Sequence, residues 1–161
     1  MNDLLENILL VEPESHYGAD YSRDRLTQYR DFVGSAETVT DRRYRANQFY
    51  LGINTALIGG ISFAGLDRHF LMVVAAIAGF AICLAWWGSI RSYRELNAAK
   101  FTVIKAMERH LPAAPYTAEE ATYQSGSLRY VILSKWESWV PIVYAALHLG
   151  VGISGVLGFM E

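Results

Sequence analysis

The chain has 161 residues, 52% of them apolar, with 14 Lys and Arg against 16 Asp and Glu and one cysteine. A single thiol, Cys83, excludes an intrachain disulfide, and a mean hydropathy of only +0.15 excludes a chain made wholly of membrane spans. The net charge of −2 hides an asymmetry, because Asp3, Glu6, Glu12, Glu14 and Asp20 stand in the first 20 residues with no Lys or Arg among them.

Residues 1–19 form an acidic N-terminal segment, with an apolar patch at Leu4, Leu5, Ile8, Leu9, Leu10 and Val11 and then Pro13 and Gly18. This pattern predicts a short helix or docking segment that ends in a loop. Its acidity excludes a signal peptide, so the first span is expected to act as its own targeting signal. Residues 20–46 read as a cytoplasmic amphipathic helix, since Leu26, Tyr29, Val33 and Ala36 recur at three and four as in a heptad seam. Gly34 and the run Thr38, Val39, Thr40 weaken it as a free-standing coiled coil.

The next two segments decide the class. Residues 49–66 (FYLGINTALIGGISFAGL) and 70–90 (FLMVVAAIAGFAICLAWWGSI) contain no charged residue. As helices they would be roughly 27 to 32 Å long, close to the hydrocarbon thickness of a bilayer. Neither has a charged face, and a chain this short offers little protein to bury both all round. They predict transmembrane helices at 47–66 and 70–90, joined by a tight outward turn at Asp67, Arg68 and His69.

Arg42, Arg43 and Arg45 precede the first span, and Arg91, Arg94 and Lys100 follow the second. The positive-inside rule therefore puts the N-terminus in the cytoplasm. Arg42, Arg43, Arg45 and Arg91 are expected as membrane-interface anchors, with Trp86 and Trp87 in the aromatic belt and Trp136 and Trp139 before the last apolar run. Arginines one helical turn from a span are engaged by the membrane, so no nucleic acid is expected as a partner.

A cytoplasmic helical region, 91–138, follows. Leu96, Ala99, Val103, Ile104, Met107 and Leu111 make one face of a helix that Pro112 and Pro115 stop. A polar connection comes next, in which Thr117 and Glu120 fit a capping box. The third apolar segment, 139–161, has no charge from Trp139 to Met160. It is either a span or a membrane-associated tail, because Pro141 stands near its start and Glu161 beyond its end.

Small residues recur every fourth position: Gly52, Ala56, Gly60 and Ala64 in the first span, Ala75 and Gly79 in the second, and Ala146, Gly150, Ser154 and Gly158 in the last segment. Such stripes let helix backbones approach closely in lipid. Here they serve homo-oligomerisation or packing within one small bundle. Asn54, Thr55 and His148 are the polar groups inside the apolar runs, placed either to line a pore or to satisfy one another structurally. The four histidines lie far apart, none at metal-site spacing, and no phosphate loop or nucleophile elbow is present. An enzyme, a metal and a cofactor are therefore not expected.

The run RRYRANQFYLGINTALIGG, then SYRELNAAKFTVIKAMERHLP, then WESWVPIVY resembles the RipA family of small bacterial inner-membrane proteins, described as octameric. That family is similar to the pore-forming membrane accessory protein of type VI-B CRISPR systems. The matching positions are Arg43, Asn47, Asn54, Thr55, Tyr93, Arg94, Asn97, Lys100, Trp136, Glu137 and Pro141. The resemblance implies a ring of eight protomers in the bacterial inner membrane, with roles in stress adaptation, virulence or phage defence and no known reaction. An Arg followed by His at the RNase-like spacing of some relatives is missing, so ribonuclease activity is not carried over.

The sequence thus predicts an all-α integral membrane protein whose partners are the lipid bilayer and further copies of itself. It would act as a pore or channel-like effector or, in the alternative, as a membrane-anchored accessory protein that recruits a cytoplasmic partner.

Overall fold

A computed structural model describes residues 8–10, 14–64, 69–125 and 137–160. Among these the chain is helical and without strands: α1 (Glu14–Tyr17), α2 (Tyr21–Ala64), α3 (His69–Glu108), α4 (Pro115–Gln124) and α5 (Trp139–Leu157). The chain divides into two compact units. A polar unit comprises residues 1–41 and 94–131, and an apolar unit comprises 42–93 and 132–161.

The first long helix, α2, runs through position 46 without a break, although its sequence suggested a weak point near Gly34. Its hydroxyls bend back onto their own helix: Thr38 Oγ1 donates to the Gly34 carbonyl (2.9 Å), Thr40 Oγ1 to Ala36 (3.3 Å) and Ser35 Oγ to Phe32 (2.6 Å). Bonds of this kind satisfy the hydroxyls without interrupting the backbone ladder. No proline stands between Tyr21 and Ala64 to break it. The second long helix, α3, also continues past position 90. Of the expected turn at Asp67, Arg68 and His69, only His69 lies within the described residues, where it opens α3.

In the apolar unit the buried positions of α3 are Met72, Ala76, Gly79, Cys83, Trp86 and Ile90, alternately four and three apart. This heptad seam faces α2, where Asn54 and Ile61 are buried. Among the described residues, α3 and α5 are long and apolar enough to cross a membrane. The expected first span runs at its end into residues outside that set.

In the polar unit the same two helices pair through side chains that hydrogen-bond. Asn97 Nδ2 donates to Thr40 Oγ1 (3.1 Å), Lys100 Nζ to Ser35 Oγ (2.7 Å) and Tyr29 OH to Glu108 Oε1 (3.1 Å). Partner numbers fall on α2 as they rise on α3, so the helices are antiparallel. The Lys100 ammonium also sits 4.7 Å from the Phe32 ring centre, which offsets part of its desolvation. Ile104 is the fully buried apolar residue of this seam. Leu96, expected on the inward apolar face, is instead exposed.

Glu108, 1% exposed, fixes the next element. Its carboxylate accepts the backbone N–H groups of Tyr116 (2.8 Å) and Thr117 (2.9 Å) and the Thr117 hydroxyl (2.7 Å), besides Tyr29. The N-cap residue of α4, Ala114, makes no side-chain cap, so a carboxylate from another helix does that work. Thr117 is accordingly drawn to Glu108 rather than into a capping box, and Glu120 pairs with Lys105 Nζ at 2.7 Å.

Burial alone would raise the Glu108 pKa, but its hydrogen bonds outweigh burial and hold it below the ordinary carboxylate value. Burial, aided by the bond to Glu108, pushes Tyr29 up to about 12. Glu108→Ala strands several buried donors and should cost about 2–4 kcal/mol, read by chemical or thermal unfolding of the detergent-solubilised protein. Because the folded carboxyl is the stronger acid, its contribution is complete above the unfolded value of about 4.3. It should fade as pH falls through the lower folded value, and the Glu108→Ala variant should lack that acid-side loss.

Candidate functional site

The sequence-predicted intramembrane polar residues come together in the apolar unit. Asn54 and His148 are both 0% exposed. Asn54 Nδ2 donates to the Tyr50 carbonyl of its own helix (2.8 Å). Its Oδ1 therefore faces outward from α2 and lies 2.9 Å from His148 Nε2 on α5 and 3.3 Å from Cys83 Sγ on α3. An amide oxygen only accepts, so His148 carries its hydrogen on Nε2 and Cys83 donates its S–H. One oxygen thus receives hydrogen bonds from two neighbouring helices.

The imidazole fits because Gly79 has no side chain. A Cβ there would fall inside the van der Waals envelope of the His148 ring. One to two turns along α5 the contact continues: a methyl at Gly152 would lie 3.1 Å from Ala76 Cβ, and one at Gly155 would lie 3.0 Å from Val73 Cγ2 and 3.1 Å from Met72 Cβ. At the far end the His69 ring occupies the space a Cβ on Gly158 would need, and it meets Phe159 edge-on at 5.8 Å.

A second cluster lies toward the arginine end of the unit. Trp86 Nε1 donates to Asn47 Oδ1 (2.9 Å), and its ring stacks on Tyr50 (centroids 5.9 Å apart) and leans on Tyr144 at 6.2 Å. Thr55 Oγ1 and the Tyr144 hydroxyl share a hydrogen bond of 2.8 Å. Arg43 faces Glu137 at 3.8 Å. Of the expected interface tryptophans, Trp86 is buried within the unit, while Trp87 and Trp139 are exposed. Trp136 lies outside the described residues. Arg42, Arg45 and Arg91 are exposed.

The small-residue positions separate into two groups. Gly79 and Gly158 are used within the protomer, as above. No atom lies within 4 Å of where a Cβ would stand on Gly52, Gly60 or Gly150, and Ala56 is exposed as well. Ala75 is half-buried, and the side chain of Ala64 is outside the described set. Ala146, Gly150, Ser154 and Gly158 are among the residues lining a groove of about 680 Å³, whose walls also include Ile58, Ile61, Ser62, His69 and Met72.

Sequence reasoning named Asn54 and His148 separately and missed that they are partners. It also missed Gly152 and Gly155. The signal was available, because His148, Gly152 and Gly155 repeat at the four-and-three spacing of a packing seam.

A helical bundle whose apolar spans enclose polar groups that hydrogen-bond from helix to helix is the build of a polytopic membrane protein. The chain belongs to the octameric membrane protein family (8xMP), whose family model matches residues 26–157. Neither a curated protein nor a solved structure matches it.

Gly79→Ala should destabilise the bundle by about 1–3 kcal/mol through overpacking against the imidazole. Combining it with His148→Ala should cost less than the sum of the two single changes. Unfolding of the single and double variants in detergent checks this, and strict additivity would show that the two residues do not share the space.

Proposed function

We propose that the chain assembles as a homo-octamer in the bacterial cytoplasmic membrane, with its N-terminus in the cytoplasm, and acts there as a non-enzymatic pore or channel-like effector. The observation that carries this reading is the open small-residue face on α2. Gly52 and Gly60 stand with nothing against them, on a chain whose family is described as octameric. Small residues at a lipid-embedded surface let a second helix approach closely enough for dense packing. Inside one protomer Asn54 Oδ1 and His148 Nε2 are already partners, while the buried His148 Nδ1 has none among the described residues.

The arginines beside the spans support the orientation through the positive-inside rule. The resemblance to the RipA family and to the type VI-B accessory protein supports the pore and a role in stress adaptation, virulence or phage defence. A second reading, a membrane anchor that recruits a cytoplasmic protein, is favoured by one feature: Ile8 and Leu10 in the acidic N-terminal segment are exposed apolar residues. Removal of residues 1–19 should then release the partner and leave the assembly intact.

Native mass spectrometry of the nanodisc-embedded protein should give one closed species of eight copies, and proteoliposomes containing it should conduct. A monomer or dimer would remove the ring. An octamer that seals the membrane would remove the pore alone.

A further inference from the structure

His148 has two ring nitrogens, and the bundle uses one of them. Nε2 donates to Asn54 Oδ1 on α2, whereas Nδ1 is buried with no hydrogen-bond partner among the described residues. With its hydrogen on Nε2 the ring can only accept at Nδ1, and a buried acceptor left bare is costly. The two nitrogens of an imidazole point in nearly opposite directions. Since Nε2 reaches α2, Nδ1 is turned away from α2, to the side bounded by α3 and α5. A groove of about 470 Å³ lies on that side, lined by His148, by Val73, Ile77 and Phe80 on α3 and by Leu149, Ile153 and Val156 on α5. Apart from His148, every residue of its wall is apolar.

The chemistry of the wall selects the occupant. A buried water needs several polar partners, and here it would find one. A lipid acyl chain fills apolar space but brings no donor, and an ester or a ketone offers only a further acceptor. His148 stands at the midpoint of α5, a helix long and apolar enough to cross a membrane, so phospholipid headgroups lie half a bilayer away. A hydrocarbon that carries a hydroxyl meets every one of these conditions. We infer that the groove between α3 and α5 binds a long-chain or isoprenoid alcohol dissolved in the bilayer. Its hydroxyl donates to His148 Nδ1, and its chain lies between Ile77 and Ile153, both exposed on the outer walls. Nδ1 sits beneath the wall, and the apolar side chains over it turn aside without breaking a hydrogen bond. The site is built within one protomer and does not depend on how many copies assemble.

The experiment uses the full chain in nanodiscs with a diazirine-bearing farnesol as the probe, and farnesol and farnesyl methyl ether as competitors. Photolabelling should concentrate on the groove residues of α3 and α5. Farnesol should displace the probe, and the ether, which has no donor, should do so about tenfold more weakly, as loss of one buried hydrogen bond implies. Ile77→Trp, a change at an exposed wall position, should fill the groove and remove most of the labelling while helix content by circular dichroism stays the same. Should that variant lose its helices, Ile153→Trp on the facing wall takes its place. In nitrogen-labelled wild type the His148 Nδ1 resonance should move on addition of farnesol and stay put with the ether. Equal competition by alcohol and ether overturns the proposal, because the groove would then recognise hydrocarbon alone. Labelling spread evenly over the lipid-facing residues overturns it, as does labelling that a filled groove leaves unchanged. An Nδ1 resonance that farnesol does not move, or that is already at its hydrogen-bonded position without farnesol, overturns it too, the latter by placing water there.

Discussion

One amide oxygen holds the apolar unit together. In hydrocarbon there is no water to take up a polar group left unpaired, so Asn54 has to find its partners in the protein. It does so with its amide nitrogen on its own helix and its oxygen toward α3 and α5. Because His148 must reach that oxygen across α3, the residue it passes must be a glycine, and Gly79 is. The same approach places Gly152 and Gly155 against Ala76 and Met72. Hydrogen-bond geometry thus sets which glycines are buried, and the glycines left over are free for contacts beyond the protomer.

Along α2 and α3 one spacing serves two solvents. The alternation of four and three that buries Met72, Ala76, Gly79, Cys83, Trp86 and Ile90 is followed in the polar unit by positions such as Asn97, Lys100 and Ile104. Period decides which side of a helix faces its neighbour, and side-chain chemistry decides what holds it there. In water a purely apolar seam would do, yet here polar pairs are used at Thr40, Ser35 and Tyr29. Such pairs gain little net stability over water but are costly when mismatched, which makes them better at setting register than at adding strength.

This explains what could be read from the sequence and what could not. Long uncharged runs and their arginine flanks carry the membrane class in composition alone, and the all-helical build follows from their lengths. Partnership is different. His148 and Asn54 are 94 positions apart, and nothing in a one-dimensional pattern distinguishes a glycine that receives an imidazole from one that faces lipid. Trp86 and Trp87 show the same limit, since adjacent tryptophans at a helix end look alike until the helix is rotated against its neighbour and one of them is buried. Leu96 and Asn97 form a similar pair. Hydrophobicity favoured Leu96 for the inside, but pairing with Thr40 turned Asn97 inward.

The cap that Glu108 lends to α4 has a consequence for the order of events during biosynthesis. A helix of ten residues is too short to persist alone in water, and this one has no side-chain cap of its own. Its N-terminal N–H groups are met by a carboxylate that is held in place, through Tyr29, by the pairing of α2 with α3. Residues 115–124 leave the ribosome after that pair, and they become ordered only on a template the pair has already built. The order of α4 is thus tied to the closing of the hairpin that holds Glu108.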